Sequence, residues 1–358
     1  MISFLQPLIP HYRQDFFHNL NKRCPIQVYC YEDQNEIASN NFHGSSVSHT
    51  KIKSLSWKGF LVFNPFTLLK EKSSIMVLML HFGHLTTWFL LFTKLLHRKK
   101  IILWGHGISV KRYIKEEKKP DFLLKLMISL ADGVWFYTEA ELKIWKQTFP
   151  ELNAIALGNT ISGIEDILSL NDQNKIVLKE KYKIKQNIIF IFCARFNTPH
   201  RRLDLLLEII ERSDKAKYGF IIIGDGKLKP DFGAYSNVYD FGSIYDTQVK
   251  NELFIISDIY LQPGWVGLSI VEGMAYGKPV FTFRRTQDIL QCVEYSYIIE
   301  NFNGRMFSSV DEFNEGVESL DSQEIKRMGA NAKQFVSTQL RMDLMVGNAA
   351  SSLIHFHN

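Results

Sequence analysis

The sequence predicts an α/β protein of two domains, and three observations carry that expectation. At 358 residues the chain is long enough for two ordinary domains, each with its own core. Residues 74–104 read as strand, glycine turn, helix and strand, and residues 188–210 as a buried strand followed by a helix. Residues 261–280, LQPGWVGLSIVEGMAYGKPV, pass through a loop marked by Pro263, Gly264 and Gly267 into a helix. That helix carries Leu268, Ile270, Val271, Met274 and Ala275 at helical spacing and stops at Gly277 and Pro279.

Composition narrows the class. An apolar share of 46% and a charged share of 22% are ordinary globular values, so neither disorder nor a wholly membrane-embedded chain is indicated. The net charge of +5 is too mild to argue for nucleic acid, and no recognised nucleic-acid motif accompanies it. Cys24, Cys30, Cys193 and Cys292 lack metal-binding spacing and read as thiols in a reducing, cytoplasmic setting; no metal is expected. The N-terminus is broken early by His11, Arg13 and Asp15 and does not read as a secretory signal. Residues 75–96 are apolar over a spanning length, but His81, Gly83, His84, Thr86 and Thr87 at the centre favour a strand, turn and helix.

Taken in order, residues 2–8 read as a first strand, followed by a loop into a helix with Phe16, Phe17 and Leu20. Residues 25–30 form a second strand, and the polar tract 32–56 an excursion with short strands. The strand at 100–104 ends in Trp104-Gly105-His106-Gly107. Ligands of open α/β sheets sit beyond the carboxyl ends of strands, which places His106 at a site, with flanking glycines permitting close approach of backbone to ligand. A structural hydrogen-bond donor is the other reading of that histidine.

From 94 to 119, Lys94, Arg98, Lys99, Lys100, Lys111, Arg112, Lys115, Lys118 and Lys119 are opposed only by Glu116 and Glu117, with Trp88, Leu90, Leu91 and Leu95 nearby. An anionic membrane surface and a solvated charged face both fit that pattern. Residues 131–139 form a strand ending in a helix cap. The buried strand 188–194 delivers Arg195 at its carboxyl end, and Phe220 to Ile223 lead into the turn Gly224-Asp225-Gly226. Asp321 and Glu324 have capping-box spacing before a helix carrying Ile325, Met328, Ala332, Phe335 and Val336.

In the stretch 261–280, a glycine loop feeding a helix start leaves unpartnered N–H groups at the positive end of the helix dipole, a receptor for phosphate. Glu272, about one turn in, would present a carboxylate able to accept hydrogen bonds from sugar hydroxyls.

Residues 267–280 resemble the C-terminal signature of family-4 retaining glycosyltransferases of the GT-B fold, E-G-F-G-L-x-x-x-E-A-M-A-x-G-x-P-V. The match includes Gly267, Glu272, Met274, Ala275, Gly277 and Pro279. The first glutamate of that signature falls on Gly264, and the P-G-x-V-G-L form is similar to a subset of bacterial surface-polysaccharide transferases. Residues 194–206 resemble the family's G-R-L-x-x-x-K-G-x-D-L-L, whose Arg and Lys hold the donor pyrophosphate. Ala194 replaces the glycine, and one extra residue puts Arg201 (or Arg202) in the lysine's place. Phe241-Gly242-Ser243 is similar to the F-x-G segment whose backbone borders the nucleobase, and Pro10-His11-Tyr12-Arg13 resembles the start of several polysaccharide transferases.

The resemblance implies two Rossmann-like domains facing across a cleft. Residues 1–162 would be the acceptor-side domain, 163–335 the nucleotide-sugar-binding domain, and 336–358 a helix crossing back onto the first. It assigns Arg195 and Arg201 to the diphosphate, with the amides of Gly267 and Leu268 beside it, and His106 to the donor sugar. Glu272 goes to the donor ribose, Gly242 and Ser243 to the nucleobase side, and His11 and Arg13 to the acceptor side. The implied activity is metal-independent transfer of a sugar, with retention, from a nucleotide-diphosphate donor to a glycan or lipid-linked acceptor in surface-polysaccharide synthesis. The implied location is the cytoplasmic face of the membrane. A nucleotide-sugar epimerase and a non-catalytic membrane scaffold are the competing expectations, the latter because of Gly264 and the basic surface.

Overall fold

The computed structural model describes residues 1–31, 46–171 and 173–357. The chain divides into two units, Met1–Gly163 with Met342–Asn358, and Ile164–Arg341.

Among the described residues the first unit contains nine strands: β1 (Ile2–Gln6), β2 (Ile26–Cys30), β3 (Thr50–Lys51), β4 (Ser54–Trp57), β5 (Phe60–Phe63), β6 (Ile75–Met79), β7 (Lys100–Trp104), β8 (Gly133–Phe136) and β9 (Ala154–Ala156). Seven of them form a parallel sheet in the order β3-β2-β1-β6-β7-β8-β9, while β4 and β5 pair antiparallel as a separate hairpin. The sheet strands are near-continuous apolar runs because helices cover both faces. On one side Phe4, Phe16, Phe17, Trp104 and Trp135 pack edge to face or tilted, with ring centroids 5.1–6.4 Å apart. On the other, Leu78, Leu90, Ile101, Met127 and Trp145 belong to a second buried cluster.

The excursion expected over 32–56 falls partly on residues 32–45, which lie outside the described residues; β3 and β4 follow it. The apolar stretch 75–96 is β6, a turn and the helix Leu85–Phe92. No helix among the described residues is long and apolar enough to cross a membrane. Thr138 caps the helix Glu139–Thr148 through a full capping box with Glu141, whereas Asp321 accepts from Gln323 and Glu324 amides.

The described residues of the second unit form six strands, β10 (Ile188–Cys193), β11 (Tyr218–Ile223), β12 (Val238–Asp240), β13 (Ile259–Leu261), β14 (Val280–Phe283) and β15 (Gly304–Phe307), all parallel in the order β12-β11-β10-β13-β14-β15. Each sheet therefore grows outward from its first strand in one direction and then the other. The strand order reverses between β1 and β6 in the first unit and between β10 and β13 in the second. The second core holds Phe190, Phe192, Phe220, Phe281 and Phe313 among others.

The helix Ser322–Gln339 ends as the chain turns at Leu340 and Arg341, so the terminal helix begins at Met342 and not at 336. It packs on the helix Gln14–Arg23; Trp135 Nε1 donates to Ser352 Oγ at 2.9 Å and Asn348 to the Leu157 carbonyl at 3.2 Å. All four cysteines are free.

Candidate functional site

In each unit the strand order reverses once, and the carboxyl ends of the strands at such a point are the usual ligand position in doubly wound sheets. In the second unit that point lies between the ends of β10 and β13, which release residues 194–198 and the Pro263–Gly267 loop.

Behind Arg195, the turn Gly224-Asp225-Gly226 packs tightly. A Cβ on Gly224 (φ +129°) would sit 2.0 Å from the Ala194 carbonyl oxygen, and one on Gly226 (φ +153°) 2.3 Å from Asn197 Oδ1. These glycines fix the path of the segment carrying Arg195, which is half-buried. The chain then forms a 3-10 turn, Pro199–Arg201, capped by Thr198. Arg202, in a left-handed conformation at φ 55°, is spent on Asp204, with contacts of 2.6–3.0 Å. Arg201 is different: its Nε and Nη1 are buried and have no hydrogen-bond partner among the described residues. Burial depresses its pKa, and the neighbouring Arg195 charge adds to that depression. A buried guanidinium with idle donors beside a second cation lacks a counter-ion.

The thiol of Cys193, at the end of β10, is pushed up to about 11 by burial and feels the charges of Lys250, Glu272 and Arg201, so these groups converge there. Glu272, in the first turn of the helix Ser269–Ala275, pairs with Lys250 Nζ at 2.5 Å. Burial opposes the Lys250 ammonium, but the Glu272 carboxylate outweighs it and raises its pKa. Lys250 was not identified from the sequence. It lies 22 residues before its partner, on another helix, and no motif marks it.

The loop Pro263–Gly267 is braced from within. Gln262 and Gln291 are fully buried. Gln262 Nε2 donates to the carbonyls of Gly264 and Trp265 at 3.3 and 2.6 Å. Gln291 donates to Pro263 and Phe283 carbonyls at 3.2 and 2.8 Å and accepts from the Val266 amide at 2.7 Å. Gly264 has no room for a side chain, because a Cβ there would lie 2.4 Å from the His200 carbonyl oxygen. Next to it Trp265 (φ 55°) stacks on His200, centroids 4.9 Å apart. The amides of Gly267 and Leu268 donate to no acceptor among the described residues. Gly267 lies against Cys292, whose thiol feels the Arg201 charge, so Gly267 and Arg201 are both near the same sulfur. Gly242 (φ 62°) accepts from the Gly224 amide at 2.7 Å, and Ser243 is exposed beside it.

The first unit holds a cavity of about 730 Å³ at the ends of β1, β6, β7 and β8, with Gln6, Met79, Trp104, His81, His106 and Tyr137 in its wall. The His106 ring stacks obliquely on Tyr137 at 4.6 Å, and its Nδ1 is 3.8 Å from the Glu141 carboxylate. Packing around the ring, then the Arg13 charge, lowers its pKa to about 4, so at neutral pH the imidazole is uncharged and the Glu141 contact is no ion pair. Gly107 serves packing, and not the ligand approach expected of it: a Cβ would sit 2.3 Å from Trp145 Nε1, which donates to the Gly107 carbonyl at 2.9 Å.

Arg13 lines the cavity but is only 7% exposed. It bonds Asn159 and the Thr160 carbonyl and lies 5.6–5.9 Å from the ring centroids of Tyr12, Trp104 and Tyr137. Its guanidinium is committed to the fold, and it reaches the cavity chiefly as a charge. His11 is exposed and lies outside the cavity wall.

His81 and His84, both in the wall, were not singled out as site residues by the sequence reading, although two histidines directly after a buried strand were the available signal. Burial lowers the pKa of both, that of His84 to about 3 with a further push from His81. Among the described residues no group of three or more His, Cys, Asp or Glu is arranged to hold a metal ion.

The basic run 94–119 is less free than its sequence suggests. Lys94 pairs with Asp132 at 3.2 Å, Lys99 is buried on the Glu71 and Ser73 carbonyls, and Arg112 pairs with Glu116 and Asp121. Of the apolar residues beside it, Leu90 and Leu91 belong to the core, while Leu95 is 88% exposed.

Residues 187–321 match the family Glycosyl transferases group 1. An uncharacterized 41.2 kDa protein in the cps region of Klebsiella pneumoniae is 26% identical over 275 residues, covering 71% of each chain. Among solved structures, HepE of Anabaena in complex with UDP superposes with a TM-score of 0.68 at 14% identity, covering 99% of both chains. The lipopolysaccharide outer core galactosyltransferase WaaB does so with a TM-score of 0.66, at the same identity and coverage. The two α/β units thus have the Rossmann-like fold of GT-B glycosyltransferases, and residues 187–321 of the second match the model of glycosyl transferases group 1.

Proposed function

We propose that this protein is a glycosyltransferase that takes a sugar from a nucleotide diphosphate and transfers it, with retention, to a glycan or lipid-linked acceptor in surface-polysaccharide synthesis. The observation that carries the reading is Arg201, a buried cation with two idle donors next to Arg195 at the point where the strand order reverses. A diphosphate bound there would satisfy the idle donors of Arg201 and neutralise its buried charge, through charge-assisted hydrogen bonds. When the bond from the anomeric carbon to the diphosphate oxygen breaks, the electron pair leaves with the diphosphate. Arg195, Arg201 and the Gly267 and Leu268 amides would stabilise the charge that develops.

In this reading Glu272, held by Lys250, accepts from the donor ribose, and Gly242 and Ser243 border the base. Neutral His106 meets the donor sugar as a hydrogen-bonding group and not as a charge, while His11 and Arg13 belong to the acceptor side. No metal is required, since the cations come from the chain. Complexes of HepE with UDP and with UDP-glucose support a nucleotide-sugar donor, and the cps-region relative supports a polysaccharide product. The protein would work at the cytoplasmic face of the membrane.

The test is turnover and binding with a panel of nucleotide sugars. We expect one donor to raise the melting temperature, and Arg201→Ala to cut turnover by ~10² or more while the fold is kept. Turnover within about threefold of the parent would reject the assignment. A second reading, binding of a nucleotide sugar without transfer, is favoured by one observation: Gly264 leaves no room for the glutamate usual in the signature. Donor binding with no release of nucleoside diphosphate on any acceptor would select it.

A further inference from the structure

The hairpin β4–β5 is turned inside out for a protein in water. Its register pairs Leu55 with Val62 and Trp57 with Phe60, which puts these four on one face. That face is open: Leu55, Trp57, Phe60 and Val62 are 71, 66, 42 and 45% exposed. The other face is already docked. Leu61 and Phe63 are buried, the Leu61 amide donates to the Gly83 carbonyl at 2.9 Å, and the Phe63 amide to Thr86 Oγ1 at 2.9 Å. A hairpin with one buried face normally shows polar side chains on the other.

The apolar surface continues. The helix Leu85–Phe92, which packs on β5, exposes Leu85, Phe89 and Phe92 at one-turn spacing. The short helix Lys94–His97 exposes Leu95 and Leu96 at 88 and 83%.

Charge says what covers this surface. Residues 50–63 contain Lys51, Lys53 and Lys58 and no acid; residues 85–100 contain no acid and offer Arg98 and Lys100, since Lys94 pairs with Asp132 and Lys99 is buried. At the hairpin tip the Lys58 ammonium lies 5.1 Å from the centroid of the Trp57 ring, an indole and a cation side by side. Such a pair suits the boundary between acyl chains and anionic headgroups. A second copy of the chain fits poorly, because a two-fold contact through this face would bring lysines against lysines.

We propose that the outer face of β4–β5, with the exposed stripe of Leu85–Phe92, inserts into an anionic lipid surface and sets the mouth of the first unit's cavity at the membrane. Ser56, Gly59, Phe60 and Leu61 of the same hairpin help line that cavity. An acceptor on a lipid carrier would then enter it from the bilayer plane. This second step rests on the glycosyltransferase reading; the insertion does not.

The experiment is cosedimentation with vesicles of phosphatidylglycerol and phosphatidylcholine, and of phosphatidylcholine alone, at low and high salt. It compares the parent chain with Leu55→Ser/Trp57→Ser/Val62→Ser and with Lys51→Glu/Lys53→Glu/Lys58→Glu. None of these six residues lines the cavity. We expect the parent to prefer the anionic vesicles, the serine variant to lose at least tenfold in partitioning at either salt, and the glutamate variant to lose the preference for anionic lipid. Melting temperature and donor-induced thermal shift should stay at parent values, and transfer to a soluble acceptor should persist while transfer to a lipid-linked acceptor falls. Equal partitioning of parent and serine variant would overturn the proposal. So would a parent that ignores vesicles and forms a dimer that the serine variant abolishes. Vesicle binding without any nucleotide-sugar binding would leave the insertion standing and remove the glycosyltransferase reading alone.

Discussion

Arg201 and Arg202 stand side by side with different fates. A left-handed φ of 55° at Arg202 swings it onto Asp204, while Arg201 turns inward and stays unpaired. Sequence spacing could not separate them, since one residue in a 3-10 turn reverses which side chain enters the crevice. Arg195 was legible because a buried apolar strand ends just before it, and Glu272 because its helix is. Lys250 was not, because its partner is brought to it by tertiary packing, whereas His81 and His84 follow a buried strand directly and were passed over. At Gly264 the comparison with related signatures invites a repair, Gly264→Glu, and the structure predicts that it fails. The new Cβ meets the His200 carbonyl, a backbone atom that cannot give way cheaply. Overpacking of this kind typically costs ~1–3 kcal/mol. We expect a lower melting temperature and weaker nucleotide binding, measured by calorimetry; an increase in turnover would show that the loop yields. The Lys250–Glu272 pair gives a second prediction. Lys250→Met should weaken donor affinity, and combining it with Glu272→Gln should show a coupling of ~0.5–3 kcal/mol in a double-mutant cycle. Additive effects would mean the pair does not act as a unit.

At the scale of elements, the strands were the most readable feature, since parallel strands covered on both faces appear as unbroken apolar runs bounded by glycine and polar turns. Of the hairpin β4–β5, the second strand was not read: Phe60-Leu61-Val62-Phe63 has no alternation, because both of its faces are apolar. The loop 263–267 was legible as a glycine loop, but what holds it was not. Its shape depends on Gln291, which reaches it from beyond β14 and spends its amide on three carbonyl or hydroxyl oxygens and one N–H. Replacing Gln291 by Leu would strand the Val266 amide away from water and remove one of the three donors to the Pro263 carbonyl. Each unsatisfied buried group costs ~1–3 kcal/mol. We expect Gln291→Leu to destabilise the protein by about 2–4 kcal/mol in denaturant titration and to lower donor affinity further at temperatures where the fold persists. A variant as stable as the parent would mean that water replaces the amide.

At the scale of the whole chain, both units repeat one architecture, a parallel sheet growing outward from its first strand, yet they differ in how they should respond to acid. The first unit holds His81, His84 and His106 with lowered pKa values, about 3 for His84 and about 4 for His106; His84 is buried, whereas His81 and His106 keep exposed rings and contribute less to stability. Between the ordinary histidine value near 6.5 and these folded values the unfolded chain binds more protons than the folded one. Stability is therefore full above pH 6.5 and falls as the pH drops through that window, levelling off only below about 3. For His84, which is 7% exposed, the loss at pH 5 is about 2 kcal/mol, from 1.5 pH units at about 1.4 kcal/mol each. In the second unit, Lys278, held on the Ser257 carbonyl and lowered by burial to about 8, contributes its pH dependence above that value. Asp204 and Glu252, whose pKa values are lowered by their partners Arg202 and Lys181, matter only in stronger acid. Calorimetry between pH 7 and 5 should therefore show one transition falling by roughly 4–8 °C, at about 2–4 °C per kcal/mol for a unit of this size, while the other moves little. His84→Asn, which cannot titrate, should remove most of that drop. An equal drop in variant and parent would place the acid sensitivity elsewhere in the molecule.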